Sequence, residues 1–244
     1  PAKLRQDRRD LAQMEFIDHF RLARRSFRAL LSAFDLTVRF GGYAHAAAES
    51  GPAVILIHGN ELIAQALLTA YYPRPFQAVV SLSIWKKPIL RALASRLGFL
   101  DLPRRNGGWL SWIRAALNVL QSGGRIALFV PSDFASSNKP AAEFGIAAML
   151  CRLTGCAFVP VATDGCDRVL PPGCFLPRVR PLRMLIGKPV KPRVETAVSN
   201  RNRDWATMFR TDLSILQQRL LACPEGVPDE HCSIVQPLSK ASQE

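Results

Sequence analysis

His58 closes the run Gly51-Pro52-Ala53-Val54-Ile55-Leu56-Ile57-His58-Gly59-Asn60-Glu61, in which apolar residues hand an imidazole to the start of the next helix. A histidine at the carboxyl end of a strand can take a proton from an attacking hydroxyl, the work of a general base. An exposed base of that kind would contribute to a transition state more than to packing; the alternative is a structural histidine that caps the helix at 60. Glu61 falls in the first turn of that helix, where it either leans back to orient the imidazole or stays solvated at the positive helix end. Arg104 and Arg105 follow the short run Phe99 to Leu102, and a guanidinium pair suits a phosphate-bearing ligand as well as it suits a solvated turn. Ser132 and Asp133 follow Pro131 at the end of the run Ile126 to Val130, and Asp133 is a second carboxylate able to orient His58.

Other chemistries lack their residues. A serine hydrolase of the α/β type needs G-x-S-x-G to hold its nucleophile on a strained turn. Ser81 and Ser83 have no flanking glycines, and Ser122 precedes two glycines at a helix end. The cysteines, Cys151, Cys156, Cys166, Cys174, Cys223 and Cys232, form no CxxC pair, and only Cys232 has a neighbouring histidine, His231. They read as buried or surface thiols of a reducing compartment, without metal-site spacing. His19 and His45 have no comparable context.

The elements that must position these residues alternate along the chain. Strands are predicted at 53–57, 77–83, 125–130, 156–162 and 182–187, and helices at about 60–70, 87–97, 109–122 and 141–153. Gly123-Gly124 and Gly155 end helices just before strands. This alternation predicts a single α/β domain around a central, largely parallel sheet flanked by helices, with ligands outside the carboxyl ends of its strands. Residues 1–40 form a basic helical extension, 41–200 the α/β domain, and 201–244 a last helix near 203–222 with a weakly ordered polar tail beyond Cys223. In the first helix Leu11, Met14, Ile17, Phe20, Phe27, Leu31 and Phe34 recur at helical spacing, with Arg21, Arg24, Arg25 and Arg28 between them. Such a helix either lies at an anionic membrane surface or packs onto the domain.

Thirty-two Lys and Arg against 19 Asp and Glu leave a net charge of +13, a field that attracts phosphate-bearing partners: lipid head groups, coenzyme A, acyl carrier proteins or nucleic acid. No apolar run reaches the ~18 residues of a membrane span, so membrane association is expected to be peripheral. No signal-peptide pattern is present, and an intracellular, peripheral or organellar location is expected, the mitochondrion included.

Five landmarks recur in a known order. Val54 to Ile57 lead into His58; Val79 to Ser83 and Pro88 precede Leu97-Gly98-Phe99-Leu100-Asp101-Leu102-Pro103-Arg104; Ser122-Gly123-Gly124 precedes Phe129-Val130-Pro131-Ser132-Asp133-Phe134-Ala135; then come Val159-Pro160-Val161-Ala162 and Ile186-Gly187-Lys188-Pro189-Val190. Over about residues 50 to 192 this resembles the glycerolipid acyltransferases, the PlsC-like 1-acylglycerol-3-phosphate acyltransferases. The resemblance implies that His58 deprotonates an acceptor hydroxyl as it attacks the thioester of an acyl-CoA or acyl carrier protein, with Arg104 as the phosphate anchor and a lysophospholipid as acceptor. That chemistry needs a base, an oxyanion donor and a positioned acceptor, and no cofactor or metal.

The catalytic motifs depart from the family's. Its Asp, five residues after the histidine, is Ile63 here; its Glu and Gly align with Ser132 and Asp133, its Thr and Arg with Phe134 and Ala135. Losing the orienting Asp of a serine-protease triad lowers turnover about 10⁴-fold. The expectation is therefore acyl transfer that is weak or lost. Beside it stands a different class: a pseudoenzyme kept as a structural subunit of a larger organellar or ribosomal assembly, with electrostatic nucleic-acid binding.

Overall fold

The computed structural model describes residues 2–59, 61–80, 100–101, 109–132, 134, 141–171, 174, 177–191, 201–223 and 233–235. The elements are α1 (Ala2–Ala33), β1 (Val38–Gly41), α2 (Tyr43–Ala48), β2 (Ala53–His58), α3 (Glu61–Tyr71), β3 (Gln77–Val80), β4 (Leu100–Asp101), α4 (Trp109–Gln121), β5 (Arg125–Val130), α5 (Ala142–Thr154), β6 (Ala157–Asp164), α6 (Cys166–Val169), β7 (Leu182–Ile186), α7 (Arg201–Ala222) and β8 (Ser233–Val235). The helix expected near 87–97 lies outside the described residues.

The described strands form one eight-stranded sheet in the order β4-β3-β5-β2-β6-β7-β1-β8. Neighbours are parallel except β6 with β7 and β1 with β8. The α/β class expected from the alternation is the class observed. Every residue of β2 is buried, because it lies mid-sheet with helices over both faces. Side chains on a strand point alternately to opposite faces. Ile55 and Ile57 accordingly join Phe20, Leu67, Leu68 and Phe76 on the α1 and α3 side, while Val54 and Leu56 join Trp112, Leu120, Phe144 and Phe209 on the α4, α5 and α7 side. An uninterrupted apolar run is what a strand buried on both faces requires.

α1 packs on α3 through Phe20, Ala23 and Leu31, with the Phe20 ring edge-on to Phe76 at 5.2 Å. Two of its arginines serve the fold. Arg24 donates to the carbonyl of Tyr72, and Arg28 Nε donates to that of Ala70 at 2.8 Å, covering carbonyls at the end of α3 that have no partner within the helix. Arg21 instead pairs with Asp18 on the exposed side. No described helix is long and apolar enough to cross a membrane.

Two strands depart from the sequence reading. β1 is four residues long and contains Arg39, too short and mixed a pattern to announce itself. β8 lies in the tail expected to be weakly ordered: Ser233, Ile234 and Val235 pair with Phe40, Arg39 and Val38. β1 would otherwise offer an unpaired row of N–H and C=O groups, and three residues from the tail supply the ladder.

Candidate functional site

The β2–β5 register places His58 opposite Val130, so Pro131 and Ser132 continue along the rim that His58 ends. Ser132 is exposed and, with His58, Gly59, Thr163, Asp164 and Cys166, lines a cleft of about 200 Å³. His58 and Ser132 thus lie on one rim. Arg104, Arg105 and Asp133 lie outside the described residues, and Glu61 begins α3 with its side chain outside them.

His58 is not exposed as expected; it is buried at 3%. The reason is β6, which runs two residues beyond the predicted Ala162 and brings Thr163 against it. The Thr163 N–H donates to His58 Nε2 at 3.1 Å, and the Thr163 hydroxyl donates to the His58 carbonyl. Since Nε2 is an acceptor, the neutral ring carries its proton on Nδ1. That Nδ1 is buried and has no hydrogen-bond partner among the described residues. Phe134 supplies an apolar wall, its ring centroid 5.7 Å from the imidazole. Burial pulls the His58 pKa down to about 4, with Asp167 and Asp164 opposing the shift. With its one lone pair taken, the imidazole in this arrangement has nothing to offer an acceptor hydroxyl.

Ile63, at the position of the family's Asp, is 8% exposed and belongs to the apolar cluster of α1 and α3. Gly59 makes the turn out of β2 with φ +125°; a Cβ there would come within 2.6 Å of Thr163 Oγ1, so a side chain would collide with the residue that holds His58.

Sequence reasoning missed the residues that complete the rim. Asp164 Oδ2 accepts from Arg183 Nε at 3.0 Å, Arg183 Nη2 at 2.7 Å and Arg168 Nη2 at 2.7 Å. Arg183 Nη1 also donates to the carbonyls of Leu220 (3.1 Å) and Cys223, closing the carboxyl end of α7. One buried guanidinium thereby joins β6, β7 and α7. The available signal was Thr163-Asp164-Gly165 directly after an apolar strand, a polar strand end of the kind that borders ligand sites. Among the described residues no group of three or more His, Cys, Asp or Glu could hold a metal ion.

No protein-family model matches the sequence, and no curated protein does. Among solved structures the chain is similar to the 1-acyl-sn-glycerophosphate (LPA) acyltransferase PlsC from Thermotoga maritima, with a TM-score of 0.59 and 16% identity over 87% of this chain and 83% of that one. The chain has a fold like that of this acyltransferase. At that identity the likeness concerns the sheet and its helices, and the side chains at the rim must be read on their own.

Proposed function

We propose that this chain is an acyltransferase-fold protein in which transfer from an acyl-CoA or acyl carrier protein to a lysophospholipid-type hydroxyl is weak or lost. The observation that carries this reading is the hydrogen bond from the Thr163 N–H to His58 Nε2, which takes the lone pair a general base would use. Ile63 supports it, because an isoleucine can neither accept a hydrogen bond from Nδ1–H nor offset the positive charge the ring would gain on taking a proton. A backbone N–H cannot be removed by exchanging a side chain, so the lock belongs to the β2–β6 register.

The test is turnover of acyl-CoA with lysophosphatidate as acceptor. The expected rate lies far below the 1 to 10³ per second of ordinary enzymes, and a rate within that range overturns the reading. Ile63→Asp alone is expected to leave the rate unchanged. Together with Ser132→Glu and Asp133→Gly it supplies a carboxylate near Nδ1 and the family's acceptor loop but leaves the Thr163 N–H on Nε2, so transfer is still expected to stay below detection; ordinary turnover in the triple variant would remove that hydrogen bond as the block.

A second reading, a silent fold retained in a larger assembly, is favoured by the net charge of +13. Its partner would be polyanionic, RNA or an anionic lipid surface.

A further inference from the structure

Cys151-Arg152-Leu153-Thr154-Gly155-Cys156 spans the end of α5 and the entry to β6. The helix stops because Gly155 takes φ +67°, and its N–H returns to the Cys151 carbonyl at 2.8 Å. A helix stop of this kind folds the residue after the glycine back toward the last turn, a contact ordinarily made by two apolar side chains. Here both positions are cysteine. Their Sγ atoms are 3.6 Å apart and both residues are 1% exposed. Thr154 fixes the turn between them: its hydroxyl donates to the Leu150 carbonyl at 2.8 Å and accepts from the Cys156 N–H at 3.3 Å. A disulfide needs the sulfurs at about 2.05 Å, leaving roughly 1.5 Å to close by side-chain rotation.

We propose that Cys151 and Cys156 form a redox modification site, a dithiol that a peroxide converts reversibly into an intrachain disulfide tying the end of α5 to the start of β6. Cys156 ionises first, because the hydrogen bond of the Cys151 thiol holds it below the ordinary thiol range. Its thiolate attacks one peroxide oxygen; the O–O bond breaks, hydroxide leaves and a sulfenic acid forms. The Cys151 sulfur then attacks the Cys156 sulfur, the S–O bond breaks, and the departing hydroxide takes the Cys151 proton as water. Two thiols give two electrons to one peroxide, which ends as two waters. Arg152, Leu153 and Gly155 are exposed, so the sulfurs lie one turn beneath the surface at a helix end, where fraying admits a small oxidant. Cys166 does not compete: it is buried against Thr163 Oγ1 at 3.4 Å, and burial pushes its pKa up to about 12.

Arg152 makes the test direct, because trypsin cuts between the two cysteines. Peroxide-treated protein, denatured, alkylated and digested without reductant, should yield peptides 126–152 and 153–168 joined, with fragmentation placing the bond at Cys151–Cys156. Dithiothreitol should separate them, and Cys166→Ser should leave the linkage intact. A bond running through Cys166, or no linked peptides under peroxide exposure that fully oxidises the exposed Cys174, overturns the proposal.

Discussion

Thr163 touches His58 twice, its N–H on ring Nε2 and its hydroxyl on the backbone carbonyl, and burial at this strand end keeps the ring neutral. The folded chain keeps His58 unprotonated down to about pH 4, whereas an unfolded chain protonates it near 6.5. Between those values the unfolded state binds more protons, so stability is full above pH 6.5 and falls as pH drops toward 4. The loss is on the order of 3 kcal/mol. Urea unfolding across this interval should show it in the native chain and not in His58→Gln, which keeps an acceptor for the Thr163 N–H without titrating. Gly59 provides a second measure of the same crowding. Gly59→Ala places a Cβ against Thr163 in a backbone region that L-residues avoid, and a cost of about 2 to 3 kcal/mol is expected in the same experiment. The site was half legible in the sequence. His58 and Ser132 stand at strand ends, and strand ends are visible as the limits of apolar runs. The Thr163 contact joins residues far apart in the chain through the β2–β6 register, and no local pattern encodes a register.

Among the elements, α1 illustrates how one amphipathic pattern supports two readings until its partners are known. Arg24 and Arg28 close the end of α3, whereas Arg21 bridges to Asp18 on the exposed side. Arg24→Ala should therefore cost about 1.5 to 3 kcal/mol, since it removes a charged donor from a half-buried hydrogen bond, while Arg21→Ala should change stability by less than about 0.5 kcal/mol. Chemical denaturation of the two variants separates them. Arg183 is the stronger case: Arg183→Met leaves the largely buried Asp164 carboxylate with Arg168 alone and uncovers the end of α7, for an expected loss of about 3 kcal/mol. The central strands were legible because burial on both faces forces continuous apolar sequence. β1 and β8 were not, since each is held by pairing with a distant partner rather than by its own composition.

The whole molecule carries +13, and some of that charge is held within the fold by Arg24 and Arg183. What remains at the surface should bind polyanions by releasing their counterions. Affinity for RNA, read by fluorescence anisotropy, is expected to fall about a thousandfold between roughly 50 and 200 mM salt if six or more phosphates are engaged. Binding confined to anionic vesicles, with none to RNA, would direct the second functional reading to a lipid surface.

β1 precedes the other described strands of the sheet in chain order, yet its neighbours there are β7 and β8, the last two of them. During synthesis the amino-terminal segment must therefore wait, its strand without a place, while the five parallel strands are laid down. β1 is made before its partners, and its place in the sheet opens only once β7 has formed: a nascent chain arrested before β7 would display an open edge on β6, the kind of surface that holding chaperones engage.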